Sequence, residues 1–183
     1  MCIRDRRTTT DSYNKAARVY CGSAAPKFTG GWMNSFSYKG FTLTANFDFV
    51  YGNLLYNQSR ELLDSDGAYA DYNSMKLKSG WKRWEKEGDI ATHPKAINGG
   101  NKNSNKSSSR YLEKGNYFSL RNLSLGYSIP EKLCGKLGLQ RVNVSCSADN
   151  LFTLTPFSGV SPQLSDSSTD GYAGTMYPLS RRI

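Results

Sequence analysis

No stretch of this chain comes near the roughly 18 consecutive apolar residues that a membrane-spanning helix requires, so a helical membrane protein is excluded. Histidine occurs once, at His93, and the four cysteines, Cys2, Cys21, Cys134 and Cys146, form no CxxC pair and no zinc-ligand spacing. Neither a metal centre nor a cofactor site is expected. Leu, Ile, Val and Met are sparse and the mean hydropathy is −0.59, which leaves little aliphatic core for an ordinary soluble domain of 183 residues. Acidic residues are short too, 15 against 24 basic, for a net charge of +9. The basic residues are scattered among Ser, Asn and Gly instead of alternating with stacking aromatics, so no nucleic-acid partner is expected. Residues 76–114 alone hold ten basic and four acidic side chains and read as a solvated loop. No apolar leader precedes Cys2, which argues against a lipoprotein anchor or a signal peptide within the chain.

Aromatic residues, in contrast, are plentiful, with twelve Tyr, eight Phe and three Trp. They fall with period two. From Phe41 to Tyr51 one face collects Phe41, Leu43, Ala45, Phe47, Phe49 and Tyr51, and the other Thr42, Thr44, Asn46 and Asp48, with Val50 the exception. A strand with one oily and one wet face results. It is long enough to cross a bilayer when tilted, and aromatics stand at both ends. Trp32, Asn34, Phe36 and Tyr38 alternate in the same way, and Lys39-Gly40 is a two-residue turn between the two runs, which predicts an antiparallel hairpin. The pattern returns at Tyr117, where Phe118 and Leu120 hold one parity and Leu123, Leu125, Tyr127 and Ile129 the other; the switch at Arg121-Asn122 predicts a β-bulge. After Pro130 and a connection with one helical turn over Glu131 to Gln140, Val142, Val144, Cys146 and Ala148 alternate again, and the strand continues through Leu151 to Thr155. Phe41, Leu43, Phe47, Phe49, Leu123, Leu125 and Val144 are the expected lipid-facing set.

Between these strands the chain is different. Gly52 to Asn116 shows no sustained strand pattern, only a short helical stretch around Met75 to Glu87 and the low-complexity tract Asn98 to Ser109. A connection this long without structure of its own suits an outer loop of a transmembrane barrel better than a compact soluble domain. Pro156 to Gly174 reads as a second such loop, and Tyr177-Pro178 as the approach to one more strand, which the chain does not complete before Ile183. Residues 1–24 read as an unstructured leader, whose first six residues fit nothing that follows, and residues 25–183 as the partial barrel. The acid pairs Asp64/Asp66 and Glu85/Glu87 lack the second constellation that glycoside hydrolysis needs, so no catalytic residue is assigned and no enzyme is expected. Tyr69, Tyr72, Trp81 and Trp84 have flat faces that could stack on sugar rings; packing within the loop is the competing and preferred reading. The sequons at Asn57, Asn105, Asn122 and Asn143 are read as chance, since two of them fall inside predicted strands.

Several segments together resemble the SusC/RagA family of TonB-dependent outer-membrane transporters, specifically the C-terminal end of the barrel. They are Pro26-Lys-x-x-Gly-Gly31, Tyr38-Lys-Gly-Phe41, Tyr51-Gly-Asn53, Trp84 with Gly88-Asp89 and Pro94, Tyr117 to Pro130, Asp149-Asn-Leu-Phe-Thr153 and Tyr177-Pro178. Tyr117 to Pro130 followed by Asp149-Asn-Leu-Phe152 is the specific part. The resemblance implies an all-β fold, the last antiparallel strands of a transmembrane β-barrel with about four strands present and long extracellular loops. It also implies an outer-membrane location in a Bacteroidetes-like Gram-negative cell. The implied activity is import of glycan fragments or peptides together with a SusD-like surface lipoprotein, driven by the TonB complex through an N-terminal part that this chain does not contain. The family's usual Gly-x-Asp-Pro-Glu reads here Gly159-Val-Ser-Pro-Gln163, so no role is carried over for those acids. The alternative is a soluble carbohydrate-binding β-sandwich, which would bury the same aromatics in its core.

Overall fold

The computed structural model describes residues 13–69, 71–72, 75–136, 138–164 and 171–183. In chain order the named elements are a 3-10 turn at Tyr13–Lys15, β1 (Phe28–Tyr38), β2 (Phe41–Tyr51), β3 (Leu54–Asn57), α1 (Gln58–Leu63), a 3-10 turn at Ser109–Tyr111, β4 (Leu112–Lys114), β5 (Tyr117–Ser128), α2 (Glu131–Lys136), β6 (Asn143–Leu154) and β7 (Tyr172–Ala173). They fall into two compact units. One is built on a four-stranded antiparallel sheet in the order β1-β2-β5-β6, and the other on a small sheet in the order β4-β3-β7.

In the large sheet the register makes one continuous apolar face. Phe36 stands opposite Leu43, Leu43 opposite Leu125 and Leu125 opposite Cys146, while Trp32, Phe47, Leu120 and Phe152 form a second cross-strand row. Opposed residues on a sheet share a face, so the period-two pattern of four separate segments becomes one surface. Among the described residues of this unit nothing covers it: Phe41, Leu43, Leu125 and Val144 remain 52%, 38%, 51% and 60% exposed. The inner layer of a β-sandwich would bury these side chains, and among the described residues of this unit no second sheet does so. Phe47, Phe49 and Leu123 are half-buried; the Trp32 and Phe47 rings stack at 5.7 Å, the Phe47 and Phe118 rings at 5.4 Å, and Phe28 meets Phe49 edge to face at 5.4 Å.

Three local features set that register. Lys39 and Gly40 both have positive φ, 45° and 87°, as the tight hairpin turn needs. The bulge lies where the parity of β5 switches: Phe47 faces Leu120 and Ala45 faces Leu123, so three steps on β5 match two on β2 and Arg121 is the extra residue. Without it Leu123, Leu125 and Tyr127 would point to the wet side. β1 begins at Phe28, earlier than the Trp32 start expected from the sequence. The glycines at 30 and 31 do not end it, because the Phe49 ring lies across Gly30, where any Cβ would come within 2.6 Å of the ring. At the other end, Tyr177-Pro178 forms no strand; Pro178 has no N–H to give to a ladder. The segment instead makes one antiparallel bridge, with the Asp149 N–H donating to Arg182 O at 2.8 Å and the Arg182 N–H donating back at 3.3 Å.

The smaller unit corrects the picture of Gly52 to Asn116 as structureless. Met75 to Glu87 contains no helix. The helix is α1, started by Asn57, whose side-chain oxygen accepts from the Arg60 N–H at 3.2 Å. β3 pairs in parallel with β7 through Tyr56 and Tyr172. The low-complexity tract is also packed in place: Asn105 is buried, the Ser104 hydroxyl donates to Asp66 at 2.8 Å and the Ser107 hydroxyl to Glu61 at 3.2 Å.

Candidate functional site

Among the described residues, a polar region in each unit can meet a solute. On the large sheet the face opposite the apolar one carries Thr44, Asn46 and Asp48 beside Ser124, Asn122 and Ser119. Arg121, displaced by the bulge, donates its Nε–H to Asp48 at 3.0 Å. Asn122 donates to Asp149 at 2.7 Å, and the Thr153 hydroxyl to Ser119 at 3.2 Å. The Asp48–Arg121 pair balances its charge locally, and such a surface suits water, not hydrocarbon.

The smaller unit is organised by charge. Asp64 and Asp66 stand at its centre with fully buried side chains. Arg60 reaches Glu113 at 2.8 Å and Asp64 at 3.3 Å; Arg83 reaches Asp66 at 2.6 Å and Asp64 at 3.5 Å; Arg110 reaches Asp64 at 3.0 Å and also pairs with Asp66. Three guanidiniums thus meet three carboxylates. The His93 Nε2–H donates to Asp64 at 3.0 Å, while its Nδ1 lies 2.7 Å from the Thr92 hydroxyl. Burial lowers the His93 pKa below its ordinary 6.5, the Asp64 charge raises it and Arg110 lowers it again; the net direction is down. The ring is therefore neutral, as the balanced charges around it require. Burial works against the ionised forms of Asp66 and Glu113, but hydrogen bonds from Arg110, Ser104 and Arg83 to the first, and from Ser158 and Arg60 to the second, hold both below the usual carboxylate range. Tyr111, also buried, is pushed up to about 12 by burial, against the Arg110 charge. With every carboxylate engaged by cations, this cluster is a folding centre for the loop and not an acid–base pair for catalysis.

The four loop aromatics separate by environment. Trp81 is taken up internally: the Arg60 guanidinium sits 4.5 Å from its ring and the His93 ring 4.8 Å away. Trp84, Tyr69 and Tyr72 stay exposed, and the two tyrosines meet edge to face at 5.5 Å. Sequence reasoning missed the organising role of Arg60, Arg83, Arg110 and His93. Nothing in their spacing signals it, because Asp64 collects partners from 4 to 46 residues away.

No protein-family model matches the chain. TonB-dependent receptor P39 of Formosa agariphila is 30% identical over 172 residues, covering 91% of this chain and 16% of that protein. TonB-dependent receptor P3 of the same organism is 32% identical over 151 residues, covering 81% of this chain and 14% of that protein. Among solved structures, the RagAB peptide importer in its closed-closed state aligns with a TM-score of 0.74 at 26% identity, over 95% of this chain and 18% of that one. The chain is a segment of a SusC/RagA-like TonB-dependent transporter. The four-stranded sheet is accordingly an arc of an outer-membrane β-barrel wall, its apolar face towards lipid and its polar face towards the lumen. The transporter segment spans about a sixth of the length of the curated relatives it matches.

Proposed function

We propose that the intact transporter imports oligosaccharide or peptide through the outer membrane of a Bacteroidetes-like cell, together with a SusD-like surface lipoprotein and powered by the TonB complex. In this reading the chain has no catalytic role. Residues 25–183 contribute part of the C-terminal barrel wall with its extracellular loops, and residues 1–24 are a leader to that segment. The observation that carries the reading is the uncovered apolar face shared by four strands of 11 or 12 residues. Such a face suits contact with lipid. The strand ends at Tyr51, Tyr117 and Leu154 carry the long connections and the opposite ends the short ones, which supports an extracellular position for Gly52 to Asn116 and Pro156 to Gly174.

Tyr69, Tyr72 and Trp84 are the proposed substrate or lid contacts, and Trp81 holds the loop that presents them. Replacing the three exposed aromatics by Ala in the full-length transporter should lower uptake of its oligosaccharide or peptide at least tenfold while the protein stays at the cell surface in normal amount. Unchanged uptake would remove these residues from the site.

A further inference from the structure

At the loop-side ends of the strands, the lipid-facing surface is broken by a shallow cleft of about 440 Å3, walled by Phe28, Phe49, Tyr51, Phe118 and Leu154 and ended by Pro156. The cleft continues the apolar band without a step. It offers almost nothing to a polar ligand. Of its few polar side chains, Asn116 accepts the Gly52 N–H at 2.7 Å and the Thr155 hydroxyl donates to Asn116 O at 2.8 Å, so both are engaged. A sugar or peptide would lose its hydrogen bonds to water here and find few in return, whereas a hydrocarbon chain would not.

Two cations stand at this end of the sheet. The Lys27 N–H donates to Tyr51 O at 3.0 Å, and the aliphatic stem of Lys27 lies over Gly52, where a Cβ would come within 2.7 Å of Lys27 Cγ. Lys114 is exposed just before Gly115, whose N–H donates to Asn53 O at 3.0 Å. Among the described residues neither lysine makes an ion pair. A long stem on apolar surface with a free ammonium at the interface is the arrangement that meets a phosphate above an acyl chain.

We propose that this cleft holds one acyl chain of a phosphorylated glycolipid of the outer leaflet, with Lys27 and Lys114 receiving its phosphates. The inference rests on the orientation proposed above, with the long connections outside. It is tested on the full-length transporter in mild detergent, titrated with bisphosphorylated lipid A, with dephosphorylated lipid A and with phosphatidylglycerol, bound lipid being counted by native mass spectrometry. One bisphosphorylated lipid A should be retained in preference to both others. Lys27→Gln and Lys114→Gln should each weaken retention about fivefold, and Phe118→Ala with Leu154→Ala should abolish it, since it removes two walls of the cleft. Equal retention by wild type and variants would mean ordinary surrounding lipid and overturn the proposal. Preference for phosphatidylglycerol would also overturn it, by assigning the cleft to the inner leaflet. Substrate uptake by the wild-type transporter tests the transport reading by itself, so a failed lipid preference with intact uptake overturns only the lipid site.

Discussion

Asp64 bears more of the loop unit than any other single residue, because three guanidiniums and one imidazole converge on it. Asp64→Asn would leave an uncompensated positive charge in a buried network, a change that costs about 3 to 5 kcal/mol. Limited proteolysis of the full-length transporter on intact cells should show the loop cleaved far faster in that variant while the barrel stays intact. The same cluster predicts a pH dependence. His93 binds its proton more weakly when folded than when unfolded, so its contribution is complete above about pH 6.5 and is lost as pH falls below it. Asp66 and Glu113 act in the same direction at lower pH, since their depressed values make stability present above the ordinary carboxylate range and lost as pH falls through the folded values. Amide protection in 52–113, measured relative to the intrinsic exchange rate at each pH, should therefore fall between about pH 7 and 5, and His93→Gln should remove the first part of that change. None of this was legible in the sequence. Two aspartates separated by one residue are common in loops, and their partners are set by tertiary packing.

At the scale of elements, the four strands of the large sheet were legible and the reason is physical. Lipid on one side and water on the other impose an alternation that one sequence displays without any relative to compare. Even the bulge was visible, since a face kept apolar through an inserted residue must switch parity there. Leu125→Arg, on the lipid side, should cost about 2 to 4 kcal/mol near the membrane centre, and Ser124→Arg much less; urea titration of the refolded barrel compares them. Gly40→Ala tests the turn. At φ 87° its Cβ would also lie 2.7 Å from Ser128 O, so it should destabilise by about 1 to 3 kcal/mol and slow assembly. What escaped the sequence were the short strands β3, β4 and β7 and the helix α1. Asn57 was visible only as part of a sequon, and its role as an N-cap depends on a chain direction set by pairing of β3 with β7.

The whole molecule combines a wall that reads by periodicity with a loop unit that does not. The low-complexity tract shows the difference. Its composition suggests a tether, yet Ser104, Asn105 and Ser107 are built into the loop unit. Deleting Asn98 to Ser109 should leave barrel assembly intact while exposing 52–97 to protease, which heat-modifiable electrophoresis and surface proteolysis together report. The central claim is that four strands present one face to lipid and the other to an aqueous lumen, with the phase slipped at Arg121. Spin labels placed singly at positions 41–50 and 117–128 of the full-length transporter in bilayers measure it directly, by comparing accessibility to oxygen, which concentrates in lipid, and to a water-soluble nickel chelate. The account predicts strict alternation along β2, with odd positions favouring oxygen, and along β5 a change from even positions before Arg121 to odd positions after it. Uniform accessibility, or alternation on β5 without the phase change, would contradict it.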